Sequence, residues 1–392
     1  MDKTLFTPDA PGQLREIIVQ GTKDWAFIPD PLPEKWDMPD EIWRLLVEAR
    51  QELARLDGGG RYIVGRYMPT YNLLLRPLQR REALRSSSLE GTYATPQQLL
   101  LFEIDPREPK SSSDPVNSWQ EVSNYGRALE LGLHLLEEIP ISLRLLRRIH
   151  QELLSGVRGY DRDPGNFRRN QVHIGSDRRF VPVPPNELMI CLDDLEKAIH
   201  KKIEIDPLIF CFMVHYQFET IHPFMDGNGR IGRLLLALMI YQCCELSRPW
   251  LYLSAFFDKY KDEYIDYLFK VSSTGNWKDW IAFCLRGTIA QSKDAIKRFD
   301  KLLGLRKEYM ELLSKIGGNI RLNQLIDYLF ESPVISIPEL ETMCKISYPT
   351  AKADIERLVK AGILVESEIQ ARPIIYFAAD IVDIAFGDLP ND

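Results

Sequence analysis

DPLIFCFMVHYQFETIHPFMDGNGRIGRLLLALMIYQCCEL, residues Asp206 to Leu246, joins two apolar helical runs through a short polar loop. The second run, from Arg230 onward, is apolar nearly all round, which places it at the buried centre of its domain. The loop HPFMDGNGRIGR, residues 222 to 233, carries one histidine, one carboxylate, a Gly-Asn-Gly turn and two arginines. Free N–H groups and the positive end of the helix dipole then face whatever sits in the turn, and glycines let backbone approach a phosphate closely. Arg230 and Arg233 are three apart and share a helix face, offering two guanidinium forks to a chain of phosphates. Asp226 supplies a hard oxygen ligand suited to Mg2+, and a neutral His222 beside it can take a proton from an attacking hydroxyl. The string points to an enzyme that uses a nucleotide.

Outward from this loop the chain reads as mainly helical. Helical periodicity appears in EIWRLLVEARQELARLDGGG, where three glycines are expected to end the helix, and in LLLRPLQRREALRSSSLEG, with Gly91 as its stop. A Pro- and Trp-rich stretch from Trp25 to Trp36 reads as an irregular strap, and REPKSSSDPVNS at 107–118 as a break between helical units. Helices are also expected in NYGRALELGLHLLEE, SLRLLRRIHQELLSG and ELMICLDDLEKAIHKK, and a hairpin in QVHIG and RRFVPVPP, closed by Ser176-Asp177.

Composition sets bounds. With 392 residues, 45% apolar, 27% charged and a net charge of -7, the chain fits a soluble protein of two or three domains with no whole-molecule attraction to nucleic acid or membrane. The six cysteines lack metal-ligand spacing, so they read as buried free thiols of a reducing cytosol. No basic-then-apolar leader and no membrane-length run is present, and a cytoplasmic location is the expectation.

HPFMDGNGRIGR resembles the signature of the Fic family, with each defining position filled. FRRNQVHIG and FVPVPP are similar to the family's flap hairpin, KDEYIDYLFKVSSTGNWKDWIAF resembles the helix-turn-helix that closes over adenosine, and SSSLEG at Ser86–Gly91 fits the Ser/Thr-x-x-x-Glu-Gly/Asn inhibitory motif. The resemblance implies a helical Fic core with a small β-hairpin flap and an N-terminal inhibitory region. Expected bounds are 1–110 for the N-terminal region (motif 86–91), 111–290 for the core (flap 167–184, signature 222–233) and 291–392 for a linker helix and C-terminal domain.

The activity it implies is transfer of AMP from ATP onto a Tyr, Thr or Ser hydroxyl of a target protein and of the chain itself. His222 would be general base and Asp226 would hold Mg2+. Gly227, Asn228 and Gly229 would cradle the anion, Arg230 would steady the phosphates, and Arg233 would hold the γ-phosphate. Val172, His173, Ile174 and Gly175 of the flap would pack around the nucleoside with Tyr264 and Ser273, and the flap's free edge would receive the target as an added strand. Glu90, with Ser86, would act as a brake by occupying Arg233. Two alternatives stand beside this: the same fold removing AMP or transferring another phosphate-containing group, and a DNA-binding regulator in which the core senses nucleotide.

Other residues read as structural. His215 is expected to be a satisfied core histidine, His134, His150 and His200 carry no constellation, and the pairs Arg147-Arg148, Arg168-Arg169 and Arg178-Arg179 read as solvated faces. Arg80-Arg81 lie near the brake. The last hundred residues, three helices then two short strands, resemble a winged helix with Pro349–Ala361 in the recognition position and a wing over Ile363–Phe377. Residues 336–378 hold five Lys/Arg against six Asp/Glu, which favours protein interaction or a homodimer over DNA binding.

Overall fold

The computed structural model describes all residues except 20, 67–70, 158–162, 176–177, 203, 316, 368–372 and 390–392. Two strands come first, β1 (Gly12–Val19) and β2 (Thr22–Pro29), followed by α1 (Asp40–Arg66), α2 (Asn72–Leu89), α3 (Pro96–Ile104), α4 (Val116–Leu135), α5 (Leu143–Leu153) and α6 (Leu188–His200). The centre is α7 (Pro207–Ile221) and α8 (Asn228–Cys243). Then come α9 (Ser254–Lys259), α10 (Lys261–Thr274), α11 (Trp277–Lys315), α12 (Ile320–Glu331), β3 (Val334–Ser336), α13 (Ile337–Cys344), α14 (Tyr348–Lys360), β4 (Val365–Glu366), β5 (Ile375–Phe377) and α15 (Ala379–Phe386). The fold is mainly α, and among the described residues no helix is long and apolar enough to cross a membrane.

Local chemistry sets many of the boundaries. Asp206 caps α7 by accepting from Leu208 and Ile209 N–H with Pro207 at the first turn, Thr95 and Gln98 form a capping box on α3, and Gly275 in the left-handed region closes α10. Most side chains of α7 and α8 are buried, so the loop between them hangs from two helices fixed in the core.

Three expectations need correction. The first part of the strap is a strand: β2, which takes in Trp25–Pro29, pairs antiparallel with β1 from Gly12↔Pro29 to Val19↔Thr22, and its Phe27 is buried against Phe180, while residues 30–36 are irregular as expected. The alternation in DWAFIP becomes a strand because Gly12–Ile17 upstream supplies its partner. Helix α1 also runs through its three glycines. Gly60 packs on the Trp250 indole, which a Cβ would meet at 2.8 Å, so close approach rather than termination accounts for it. Lastly, α11 continues unbroken across the expected boundary at residue 290.

The cysteines are all free, with Cys191, Cys211 and Cys284 buried and Cys243, Cys244 and Cys344 only part-buried. Downstream, β3 pairs with β5 and β5 with β4, all antiparallel, so the unit has one strand and one closing helix, β3 and α15, more than expected. Residues 368–372 of the expected wing lie outside the described residues. This unit shares an apolar core with the N-terminal region, where Leu100 and Leu101 of α3 meet Val334, Phe377, Val382 and Phe386.

Candidate active site

His222 ends α7 in the left-handed region, φ 54° and ψ 62°, a costly conformation for a non-glycine residue. Its surroundings hold it there. Its N–H donates to the Phe218 carbonyl at 2.9 Å, and its own carbonyl accepts from Arg168 Nε at 2.8 Å. Arg168, only 3% exposed, also donates to the carbonyls of Asn170, Ile221 and Val183. The expectation of a solvated arginine fails because this guanidinium ties the flap to the end of α7. The imidazole Nδ1–H donates to the Glu219 carbonyl at 3.2 Å, leaving Nε2 with its lone pair. Burial, reinforced by Arg168, pushes its pKa down to about 4, so the ring is a neutral base near pH 7.

The loop beyond is stapled from within. Asn228 Oδ1 accepts from Phe224 N–H at 2.7 Å and its Nδ2 donates to the Phe224 carbonyl at 2.9 Å, so this side chain shapes the loop while its backbone opens α8. His150 stacks on Phe224 with ring centroids 3.7 Å apart, accepts from Gly165 N–H at 2.8 Å, and donates from Nε2 to the Asp226 carbonyl at 3.1 Å. Nothing in the sequence near His150 signalled this, since its partners lie 15 and 76 residues away. Asp226 Oδ1 accepts from Gly227 N–H at 2.6 Å, and the side chain is 40% exposed. Among the described residues no group of three or more His, Cys, Asp or Glu forms a protein-only metal cage. One open carboxylate of this kind fits Mg2+, which takes one or two carboxylates and completes its shell with water and phosphate.

The two arginines separate. Arg230 Nη1 turns to Glu121 Oε2 at 3.3 Å, a buried pair outside the cleft lining, and Glu121 also accepts from Thr92 Oγ1 at 2.9 Å. Arg233 faces α2: Nη2 donates to Glu90 Oε1 at 2.7 Å and to the Ser86 carbonyl at 2.9 Å, and Nε donates to Ser86 Oγ at 2.8 Å. Burial disfavours both charges, yet each sustains the other. Glu90 lies below the usual carboxylate range against the pull of burial, and Arg233 is held charged by Glu90, with Tyr264 and Glu219 nearby. Glu90 is 39% exposed, into the cleft that it lines.

Comparison with known proteins agrees with this geometry. Residues 43–134 match the Fic/DOC family N-terminal model and residues 140–240 the Fic/DOC family model. The chain belongs to the Fic/DOC family. Curated relatives include proteins named protein adenylyltransferase Fic from Drosophila virilis, 30% identical over 131 residues, and from Drosophila yakuba, 29% identical over 131 residues. In both cases 32% of this chain is matched, and the chain spans only 25% of the relative's length. A crystal structure of a Fic family protein from Desulfovibrio desulfuricans G20 aligns with a TM-score of 0.56 at 19% identity, covering 88% of this chain and 97% of that one; the likeness is one of fold.

Around the Fic signature lies a cleft of about 220 Å3, lined by Glu90, His222, Gly229 and Arg233 and by Ile174, Phe180, Tyr264 and Phe269. Gly229 is needed there, because a Cβ would collide with Glu90 Oε1. Of the other flap residues named from sequence, Gly175 lines the cleft, Val172 does not, and His173 does not either, its buried Nε2 facing Asp24 Oδ2 at 3.6 Å. The flap is a single bridge, Ile174↔Phe180, and its expected turn at Ser176-Asp177 lies outside the described residues. On its second arm the Val181 carbonyl already accepts from Phe27 N–H at 2.9 Å, so a strand added at that position must displace β2. Ser272 lines the cleft while Ser273 is buried beside it, its carbonyl accepting from Thr7 N–H at 2.8 Å.

His215 is the satisfied core histidine expected, donating to the Gly232 carbonyl at 3.0 Å and accepting from Tyr264 OH at 2.9 Å, with burial pushing its pKa down to about 3. Arg80 and Arg81 tie α2 outward, the first to Glu103 at 2.7 Å and the second to Asp294 at 3.0 Å. Sequence reasoning also passed over Glu82, fully enclosed and accepting from Tyr125 OH at 2.9 Å and from Ser254 Oγ. A signal existed: Glu82, Ser86 and Glu90 are spaced by four and form one face of α2.

Proposed function

We propose that this chain is a protein adenylyltransferase that moves AMP from Mg-ATP to a Tyr, Thr or Ser hydroxyl of a target protein and of itself, and that Glu90 holds it in a slow state. The observation that carries this reading is the 2.7 Å Glu90–Arg233 pair standing beside a neutral His222. In the reaction the target oxygen bonds to the α-phosphorus of ATP, the bond from that phosphorus to the bridging oxygen breaks, and pyrophosphate leaves. The hydroxyl proton passes to Nε2 of His222, which is free because Nδ1 is engaged by the Glu219 carbonyl.

Asp226 would hold Mg2+, which would offset charge developing on phosphate oxygens. Asn228 and Gly229 offer main-chain N–H groups at the start of α8, Gly227 would shape the cradle with its own N–H held by Asp226, and Arg233 would orient the γ-phosphate once Glu90 leaves it. Arg230, paired with Glu121 through Nη1 and 3.8 Å from Asp226 Oδ1 through Nη2, would fix α8 against α4 and steady the phosphates beside Asp226. With Glu90 seated, the cleft's 220 Å3 falls below the roughly 300–1,000 Å3 typical of ligand sites, which supports the brake. The target would add to the flap arm at Val172–Gly175, because the other arm is engaged by β2 at Val181.

The order α12, β3, α13, α14, β4, β5 supports a winged helix, used for protein interaction or homodimerisation. The Arg233 contact favours ATP as donor over AMP removal. Intact mass after incubation with Mg-ATP tests the reading: the Glu90→Gly variant should gain one AMP, and Glu90→Gly with His222→Ala should gain none. A Glu90→Gly chain whose mass stays unchanged, alone and with candidate targets, defeats it.

A further inference from the structure

Glu219 lines the cleft and has no side-chain task in the mechanism above. Its main chain orients His222, but its carboxyl is a separate matter. Oε1 is sealed from solvent and meets no hydrogen-bond donor among the described residues. It lies hard against α8 at Gly232, where any Cβ would collide with it, so the glycine directly before Arg233 gives this carboxyl its seat. Arg233 acts on it only through its charge and makes no hydrogen bond to it, its Nε and Nη2 going to Ser86 and Glu90.

With Oε1 wedged against Gly232 the carboxyl is held in one orientation, and Oε2, which has no hydrogen-bond partner among the described residues, is the oxygen left to meet a donor on a ligand in the cleft. Glu219 stands on α7 between two other walls of the same cleft: Gly229 and Arg233 of α8, and Tyr264, Leu268 and Ser272 of α10. It is near enough to act electrostatically on both Arg233 and Tyr264. That position lies where the charged and the apolar parts of the cleft meet, the place for the sugar or the base edge of a nucleotide whose phosphates lie on α8. A group there has to accept a hydrogen bond without repelling the polyphosphate. Burial pushes the Glu219 pKa up to about 8, which leaves the carboxyl mostly uncharged near pH 7 with its acceptor intact.

We infer that Glu219 is a nucleoside-reading residue, whose carboxyl accepts a hydrogen bond from a ribose hydroxyl or an exocyclic amine of the bound nucleotide and so selects the donor. This rests on the proposed function only in requiring that the cleft take a nucleotide. A site built to bond a particular O–H or N–H rejects analogues that lack it far more strongly than a site that merely fits their shape.

The test is equilibrium binding on the full chain carrying Glu90→Gly and His222→Ala, which removes the brake and prevents turnover. Dissociation constants are measured for Mg2+ complexes of ATP, 2′-deoxy-ATP, 3′-deoxy-ATP and purine riboside triphosphate, which lacks the 6-amino group. One analogue should bind about tenfold or more weaker than ATP, and its identity names the donor as sugar or base. Adding Glu219→Val should weaken ATP by that same factor and leave that analogue unchanged, while Glu219→Gln, which keeps an acceptor, should retain the discrimination. Equal binding of ATP and all three analogues overturns the inference without any Glu219 variant. So does a Glu219→Val variant that weakens all four ligands alike or none. Absence of any nucleotide binding defeats the proposed function as well, whereas discrimination without AMP transfer defeats that function alone.

Discussion

Of the clefts that helix α2 borders, two differ most in character. One, about 660 Å3, lies at the seam between α2, α3 and the C-terminal unit; the other, about 220 Å3, lies at Arg233. Size favours the seam, but its polar groups are spent on one another. Arg80 chelates Glu103 at 2.9 and 3.2 Å, Arg107 pairs with Asp105 at 2.7 Å, Tyr328 donates to Glu339 at 2.6 Å, and among the described residues no lining side chain there carries a buried polar atom without a partner. The small cleft holds a neutral histidine at φ 54°, a charge pair that a phosphate can replace, and a carboxyl oxygen with no donor. Unspent chemistry, rather than volume, distinguishes a working site from a gap between packed elements.

The largest effect that can break this contrast is at His222. In the Glu90→Gly background, His222→Ala should lower automodification with labelled ATP by about 10²–10⁴, the usual worth of a positioned general base; retention of a tenth of the rate would remove His222 from its role. Next comes Glu90→Gly alone, expected to raise the rate by about 10-fold or more, equivalent to roughly 1.4 kcal/mol of barrier. An unchanged rate would make the pair with Arg233 a mere structural tie.

A smaller effect concerns protons behind the cleft. His215 is neutral when folded, with a pKa of about 3, but titrates near 6.5 when unfolded, so the unfolded chain binds the extra proton and this residue's contribution to stability is lost as pH falls from 7 toward 5. The stability deficit of His215→Gln relative to the wild type should therefore shrink by about 1–2 kcal/mol over that interval in paired denaturant titrations. A deficit independent of pH would mean the ring takes up its proton as readily in the folded as in the unfolded chain. The smallest effect is at the seam. Arg80→Gln should leave ATP affinity in the Glu90→Gly background within about twofold while costing up to about 1 kcal/mol of stability; a tenfold change in affinity would show the seam to be part of the site.

The loop from His222 to Arg233 was legible because its groups are contiguous and helix geometry sets their directions. Glu90 was legible because a short motif places it, and its pairing with Arg233 is visible 143 residues away. For Arg230, spacing puts it on the face of Arg233 but says nothing of Glu121, which arrives from α4. Arg168 and His150 were set aside for the same reason: each acts on main-chain carbonyls brought near by the fold, and a carbonyl leaves no mark in a sequence. The strand β2 was missed because a strand shows itself fully only beside its partner, and Gly60 of α1 misled because a close contact and a helix stop call for the same residue.

The pairing of α1 with α11 has a consequence for how the molecule comes into being. Glu48 and Lys293, joined at 3.0 Å across these helices, are separated by 245 residues. At roughly 5–20 residues per second, ribosomal synthesis leaves on the order of 10–50 s between the appearance of one partner and the other. Throughout that interval the sticky side of α1, with Leu46, Leu53 and Leu56, waits for its cover. The nascent chain thus passes through a stage that invites chaperone capture or aggregation, and it ends only when the thirty-nine-residue α11 emerges to close the clasp.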